Sequence, residues 1–129
     1  MISKEVLTYC KEIESWPESW EIDTPDIETG KMILHEVFLS FFEHLISEGL
    51  AKKTIKMHIS NIWLLGGEII ERVNFDEELR NIMGPSLVEI HIDEFGGPYS
   101  RHLDTAAEKN SFNSSCKKLY KFMKMKNQA

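Results

Sequence analysis

The stretch from Leu34 to Val73, LHEVFLSFFEHLISEGLAKKTIKMHISNIWLLGGEIIERV, constrains the fold more than any other part of the chain. Ile33, Leu34, Val37, Phe38, Phe41, Phe42, Leu45 and Ile46 recur at three- and four-residue intervals and make one wide apolar face. Ile55, Ile59, Ile62, Gly66, Ile69 and Val73 make a four-three seam. Such spacing stacks side chains on one side of an α-helix. Glu48-Gly49-Leu50 interrupts the pattern, and glycine readily takes the left-handed backbone that closes a helix. Two long helices folded back on one another follow, the first starting between Asp26 and Lys31 and ending near Glu48, the second covering Lys52 to Arg72. Gly66-Gly67 costs the second helix about 1 kcal/mol per residue relative to alanine. A close helix crossing is expected to recover that cost, with a bend as the alternative.

The flanks read as partners for this hairpin. Ser3 can cap a short helix running to about Ser15, with Val6, Leu7, Cys10 and Ile13 on one stripe. Trp16-Pro17 should end it, because a residue before proline is pushed out of the α region. Trp16 to Gly30, with two prolines, five carboxylates and no basic residue, reads as a loop or extended arm anchored by Trp16, Trp20 and Ile22. Asn74 or Asp76 can cap a third short helix through Leu79 and Ile82, ended by Gly84-Pro85. Ser86 can cap Leu87-Val88-Glu89-Ile90-His91-Ile92, read as helix because a lone strand would have no partner. Asp93 to Pro98 is a loop. Thr105-Ala106-Ala107-Glu108 has capping-box spacing for a last helix, although weak formers from Asn110 to Ser115 leave Ser111 open as its start. Phe112, Cys116, Leu119, Tyr120 and Met123 give that helix a buried stripe. The expected fold is all-α: a single bundle of four to six helices. It comprises an N-terminal helix and acidic arm (1–30), a central hairpin (31–73) and packing helices with a basic last helix (74–129).

The apolar fraction of 42% and charged fraction of 28% are ordinary for a globular chain of 129 residues. No apolar run is long enough to span a membrane, and the first residues are too charged for a signal peptide. Cys10 and Cys116 make no disulfide framework and read as reduced, buried thiols in a cytoplasmic protein. His35, His44, His58, His91 and His102 show no zinc-hydrolase spacing, and His91-Ile92-Asp93 is too sparse for a metal site. No phosphate-cradling glycine loop and no nucleophile elbow is present. The chain therefore reads as a non-enzymatic protein with no cofactor, no metal and no catalytic residue.

Charge carries what functional signal there is. The net charge of −6 is unevenly spread. Residues 1–50 carry 3 basic and 11 acidic groups, and residues 76–108 carry 2 and 8. Residues 51–75, by contrast, carry 4 and 2, and residues 109–129 carry 6 lysines and no acid. Lys52, Lys53 and Lys56 open the second helix, where cations oppose the helix dipole, so stability does not explain them. Lys117, Lys121 and Lys124 share one face of the last helix with Lys118 beside them. Lysines there suit the dipole. Arg72, Arg80 and Arg101 are too few for extensive base reading, so any DNA contact should be directed at the backbone.

Phe41-Phe42-Glu43-His44-Leu45, then Gly49-Leu50-Ala51-Lys52-Lys53-Thr54-Ile55, then a helix from Lys56 to about Ile70, resemble the N-terminal core-binding domain of tyrosine recombinases and phage integrases. That domain carries F-x-x-[YH]-L, a link G-L-[SA]-x-x-T-[IL] and a second helix. The likeness covers under a third of the chain, and Ala51 stands where the family usually has a capping serine. The resemblance implies an all-helical clamp on one face of duplex DNA. Carried across, it points to Lys52, Lys53, Thr54, Lys56 and Asn61, and more loosely to Lys117, Lys118, Lys121 and Lys124. The family's catalytic domain has no counterpart among the residues after Asn74, so the implied module lacks strand transfer and would be an accessory of a mobile element. The opposite charges of the arm and the last helix support a different expectation: a helical protein-interaction module or homodimer with no nucleic-acid role.

Overall fold

Side-chain caps open three of the elements in the computed structural model, which describes residues 2–128, the side chain of Gln128 excepted. Helix α1 (Lys4–Tyr9) opens with the Ser3 hydroxyl accepting from the Val6 N–H at 3.2 Å. A 3-10 turn, Ile13–Ser15, leads into α2 (Trp16–Trp20). Helix α3 (Asp26–Ile33) continues through one π turn, Leu34–Phe38, into α4 (Leu39–Ser47), and the three make an unbroken rod. Gly49, at φ 74°, then supplies the left-handed turn. Helix α5 (Lys52–Phe75) follows, then a 3-10 turn, Glu77–Asn81, opened by the Asp76 carboxylate on the Glu78 N–H, then α6 (Gly84–Glu89). Helix α7 (Ala106–Gln128) begins with a reciprocal box. The Thr105 hydroxyl accepts from the Glu108 N–H, and the Glu108 carboxylate accepts from the Thr105 N–H, both at 3.0 Å. Among the described residues there is no strand, only an isolated bridge between Asp93 and Gly96. The all-α class expected from periodicity is the one adopted, with six α-helical bodies when the α3–α4 rod is counted once.

The structure departs from expectation mainly before the hairpin. The first helix ends at Tyr9, and the stretch expected as a loop or arm is largely helical, as α2 and the start of α3. Trp16 sits in the α region at φ −55°, ψ −45° although a proline follows it. Pro17 occupies the first turn of α2, where its missing N–H has no helical partner to lose. Trp16 and Trp20 do anchor this segment, at 4% and 5% exposure, whereas Ile22 is 61% exposed and anchors nothing. Ile82 lies beyond the helical turn expected to contain it, and Ser86 falls inside α6 rather than capping it.

The core is an aromatic-aliphatic cluster in which Phe38, Phe41, Phe42, Leu45, Ile55, Ile62, Leu65, Ile69 and Phe112 are wholly buried. The close approach at the glycine pair is made by a side chain of α2, Trp20. A Cβ on Gly66 would run into the six-membered ring of Trp20, whereas one on Gly67 would meet the same indole at an ordinary 3.5 Å. Trp20 is pinned there by its Nε1–H, which donates to the Trp63 carbonyl at 2.9 Å. The helix stays straight enough to run unbroken from Lys52 to Phe75.

Helices α5 and α7 pack antiparallel. Asn61 reaches Ser111 and Ser115, His58 reaches Ser115, and Lys118 reaches Glu48 just before α5. Residue numbers fall along one helix as they rise along the other. The C-terminal half of α7 therefore lies beside the N-terminus of α5, with Phe122 stacked on Phe41 and His44 of α4 at 5.6 and 4.9 Å between ring centroids.

Candidate nucleic-acid interface

The N-terminus of α5 is built without a side-chain cap. Ala51 is the capping residue, in extended backbone at φ −59°, ψ 145°, and no side chain accepts from the first-turn amides. A helix start leaves N–H groups without intrahelical partners, and these together with the dipole attract anions. Lys52, Lys53 and Lys56 are exposed around this end, and none has an ion-pair partner among the described residues. Thr54 is half-buried. Lys52 and Lys56 share a shallow cavity with Glu5, Thr8 and Tyr9 of α1 and with Ile46, so one carboxylate stands near these lysines.

Helix α7 contributes unequally. Lys117 and Lys121 are exposed, again without an ion-pair partner among the described residues. Lys118 is half-buried and pairs with Glu48 at 3.5 Å, and Glu48 is also held by His44 at 3.5 Å. Lys124 pairs with Glu89 at 3.0 Å, and the hydrogen bond to that carboxylate raises its pKa. Exposed pairs of this kind contribute little to stability. They do hold two of the expected lysines against neighbouring acids.

Asn61 lies in a different setting. Its amide donates to the Ser111 carbonyl at 3.1 Å, to Ser111 Oγ at 3.0 Å and to Ser115 Oγ at 2.9 Å. Beside it, His58 Nδ1 lies 2.7 Å from Ser115 Oγ and the ring is only 4% exposed. Burial, then the Lys118 charge, lower the His58 pKa against a smaller opposing pull from Glu48, which favours the neutral ring as acceptor from the Ser115 hydroxyl. The four residues form a polar seam that fixes how α7 lies on α5. Sequence reasoning missed it. The signal was the run of weak helix formers from Asn110 to Ser115, in which Ser111 and Ser115 are the polar groups that meet α5.

Two further polar sites were also invisible in the sequence. Asp26, fully buried at the start of α3, accepts from the backbone of Ile22 and Asp23, from Asn74 at 2.9 Å and from Arg80 at 2.7 Å. Burial resists its ionisation, but the hydrogen bonds outweigh burial and hold the carboxyl below its ordinary range. Glu68, 7% exposed on α5, accepts from the Ser100 hydroxyl at 2.8 Å. Cys116 is buried, and burial pushes its thiol up to about 12, while Cys10 is half-buried, with burial again the main cause of its raised pKa. Among the described residues no group of three His, Cys, Asp or Glu side chains converges as metal ligands would, and no helix is long and apolar enough to cross a membrane.

The lysines singled out in the sequence thus fall into two groups. Lys52, Lys53 and Lys56 on α5 and Lys117 and Lys121 on α7 are solvated at one end of the α5–α7 pair. Lys118, Lys124 and Asn61 are engaged within the fold. The chain matches no protein-family model, no curated protein and no solved structure.

Proposed function

We propose that the chain is a cytoplasmic, non-enzymatic helical module that associates with duplex DNA through backbone contacts, using the N-terminus of α5 and the outer face of α7. The antiparallel packing of α5 on α7 carries this reading, because it brings two basic islands far apart in sequence to the same end of the molecule. The uncapped start of α5 adds backbone donors beside Lys52 and Lys53. The segment from Trp16 to Gly30 packs elsewhere on α5, with Trp20 at Trp63 and Asp26 at Asn74, and the acidic residue that stands beside Lys52 and Lys56 is Glu5 of α1. An accessory role for a mobile element rests on the recombinase-like link, Gly49 to Ile55, and on nothing else.

Five lysines on phosphates would make the observed affinity fall about 500-fold between 50 and 200 mM salt, from a slope of about −0.9 per contact. Fluorescence anisotropy with a random-sequence duplex reads this directly. Lys52/Lys53/Lys117/Lys121→Glu should abolish binding at low salt. Retention of binding by that variant, or binding indifferent to salt, would remove the proposal. A second reading, a protein-interaction module or homodimer, is supported by Phe75, Met83, Phe95 and Tyr99, which are 85%, 70%, 75% and 75% exposed. Light scattering across a concentration series that shows a dimer sensitive to Phe75→Ser would favour it.

A further inference from the structure

Beside the C-terminal half of α5 is a cavity of about 310 Å³ lined by Ser19, Trp20, Trp63, Gly67, Glu68, Glu71 and His102 among others. A second opening, of about 290 Å³, shares Glu68 and Glu71 and continues to Phe75, Tyr99 and Arg101. Three observations give this groove a definite chemistry.

The first is Glu68. More than nine-tenths of it is buried, and one of its carboxylate oxygens accepts from Ser100 while the other has no hydrogen-bond partner among the described residues. Among the described residues no buried side-chain oxygen lacks a partner. The second oxygen must therefore meet solvent, and Glu68 lines both of these cavities. A cation reaching that oxygen from the cavity would add a charge-assisted partner that the neutral Ser100 hydroxyl does not supply.

The second is the pair of indoles. Trp63 is 42% exposed, yet its Nε1–H is held by Ser19 Oγ at 3.0 Å. Trp20 is fixed in turn by its bond to the Trp63 carbonyl at 2.9 Å. An exposed large aromatic whose polar edge is tethered cannot adapt its orientation freely. A preformed aromatic wall beside carboxylates is the arrangement that attracts organic cations, since the ring face carries negative potential.

The third is the charge balance. Arg72 and Arg101 both line the second opening, and Arg101 reaches Glu71 at 3.3 Å from an exposed position, so two guanidiniums balance the carboxylates there, whereas the described residues lining the 310 Å³ cavity include Glu68 and Glu71 and no lysine or arginine. No cation lies within ion-pair distance of Glu68 among the described residues.

We infer that the Trp63–Glu68–Glu71 groove is a binding site for an alkylammonium or guanidinium group, with Glu68 as its anionic anchor and Trp63 as its wall. The cation can come from a free amine or from an arginine or lysine side chain of another protein. The site lies on a different part of α5 from the lysine end and does not depend on DNA binding.

The test is a titration of the full chain followed through its three tryptophan indole resonances, with agmatine as the free cation, an acetyl-Gly-Arg-Gly-amide peptide as the side-chain form, and butylurea as a neutral analogue. For so small a ligand, affinity is expected on the order of millimolar. The expected result is saturable movement of the Trp63 resonance with agmatine and none with butylurea. Glu68→Gln, which keeps an acceptor for Ser100, should weaken agmatine at least tenfold, and Glu71→Gln less. Tighter binding of the peptide than of agmatine would identify a protein side chain as the natural occupant, and the reverse order a free amine. Equal response to butylurea and agmatine, or no saturable response to either cation, overturns the inference. That comparison uses the unaltered chain and stands even if Glu68→Gln fails to fold.

Discussion

The two ends of α5 are built on opposite principles. From Ile69 onward every polar side chain facing inward finds a partner from a distant segment, and Asn74 bridges Asp26 at the head of α3 to Arg80 beyond the helix. At the other end Lys52, Lys53 and Lys56 point into solvent, the capping residue has no side-chain acceptor to offer, and like charges sit on the positive end of the helix dipole. One end is specified by a buried network. The other carries charge without an ion-pair partner among the described residues. Groups that fold does not need are the ones for which a function has to be sought, and the contrast can be broken or sharpened by substitution.

The largest effect should come from the network. Among the described residues Arg80 is the one cation on Asp26, whose side chain has no exposure at all. Arg80→Met leaves that carboxylate with amide donors alone, and removing one partner of a buried pair typically costs about 3–5 kcal/mol. Urea unfolding would read it, and a loss below about 1 kcal/mol would mean that the network is peripheral to stability. Asp26→Asn should be similarly costly, because it strands the guanidinium.

The glycine pair gives a smaller effect with a change of sign between neighbours. Gly66→Ala pushes a methyl into a Trp20 ring that is tethered and cannot retreat, at about 1–3 kcal/mol for overpacking. Gly67→Ala meets only ordinary contact and should gain up to about 1 kcal/mol from helix propensity. If both were stabilising, the fit of α2 onto α5 would be looser than the geometry indicates.

How much of this was legible in advance varies with the range of the interaction. The hairpin, the Gly49 turn, the Ser3 cap and the Thr105 box are local, so spacing and residue type disclosed them. Helix α2 was not legible. Its five residues span too little for periodicity, and Trp16 adopts helical backbone against the preference of a residue preceding proline because its indole, with that of Trp20, gains burial. Asp26, Asn74 and Arg80 meet across long separations, and nothing near any of them announces the others. The lysines were legible as charge, but not their partners: Lys118 on Glu48, Lys124 on Glu89 and Asn61 on Ser111 depend on which helix packs where.

Acid should dismantle the two regions of the molecule at different pH. Burial, then Lys118, depress the His58 pKa; burial, with a minor contribution from Arg72, depresses that of His91 despite its bond to the Leu87 carbonyl. An unfolded chain takes up these protons first, near the ordinary value of 6.5, so the stability due to neutral histidines is complete above that pH and is lost as pH falls below it. Asp26 is also depressed, from 3.8, so its contribution survives this step and is lost only on further acidification through its lower folded value. Thermal melting against pH should therefore show two declines. His58→Gln should reduce the first and leave the second, and a single decline below pH 4 would contradict the buried, neutral reading of the α5–α7 seam.

The smallest effect on stability should be the most informative about function. Lys52 and Lys53 stand in the first turn of α5, where a positive charge is unfavourable and a negative one is favoured by about 0.3–1 kcal/mol. Lys52→Glu and Lys53→Glu should therefore leave the fold unchanged or slightly raise Tm, because neither side chain has an ion pair to lose among the described residues. Lys118→Gln, by contrast, removes a real but exposed pair with Glu48 and should cost a few tenths of a kcal/mol. If the lysines of α5 are there for a polyanion, the substitutions that stabilise the helix are the ones that abolish its affinity for duplex DNA. Should Lys52→Glu and Lys53→Glu both destabilise the protein, these lysines are structural after all, and the end of α5 that looks idle is holding the fold in a way that its geometry does not reveal.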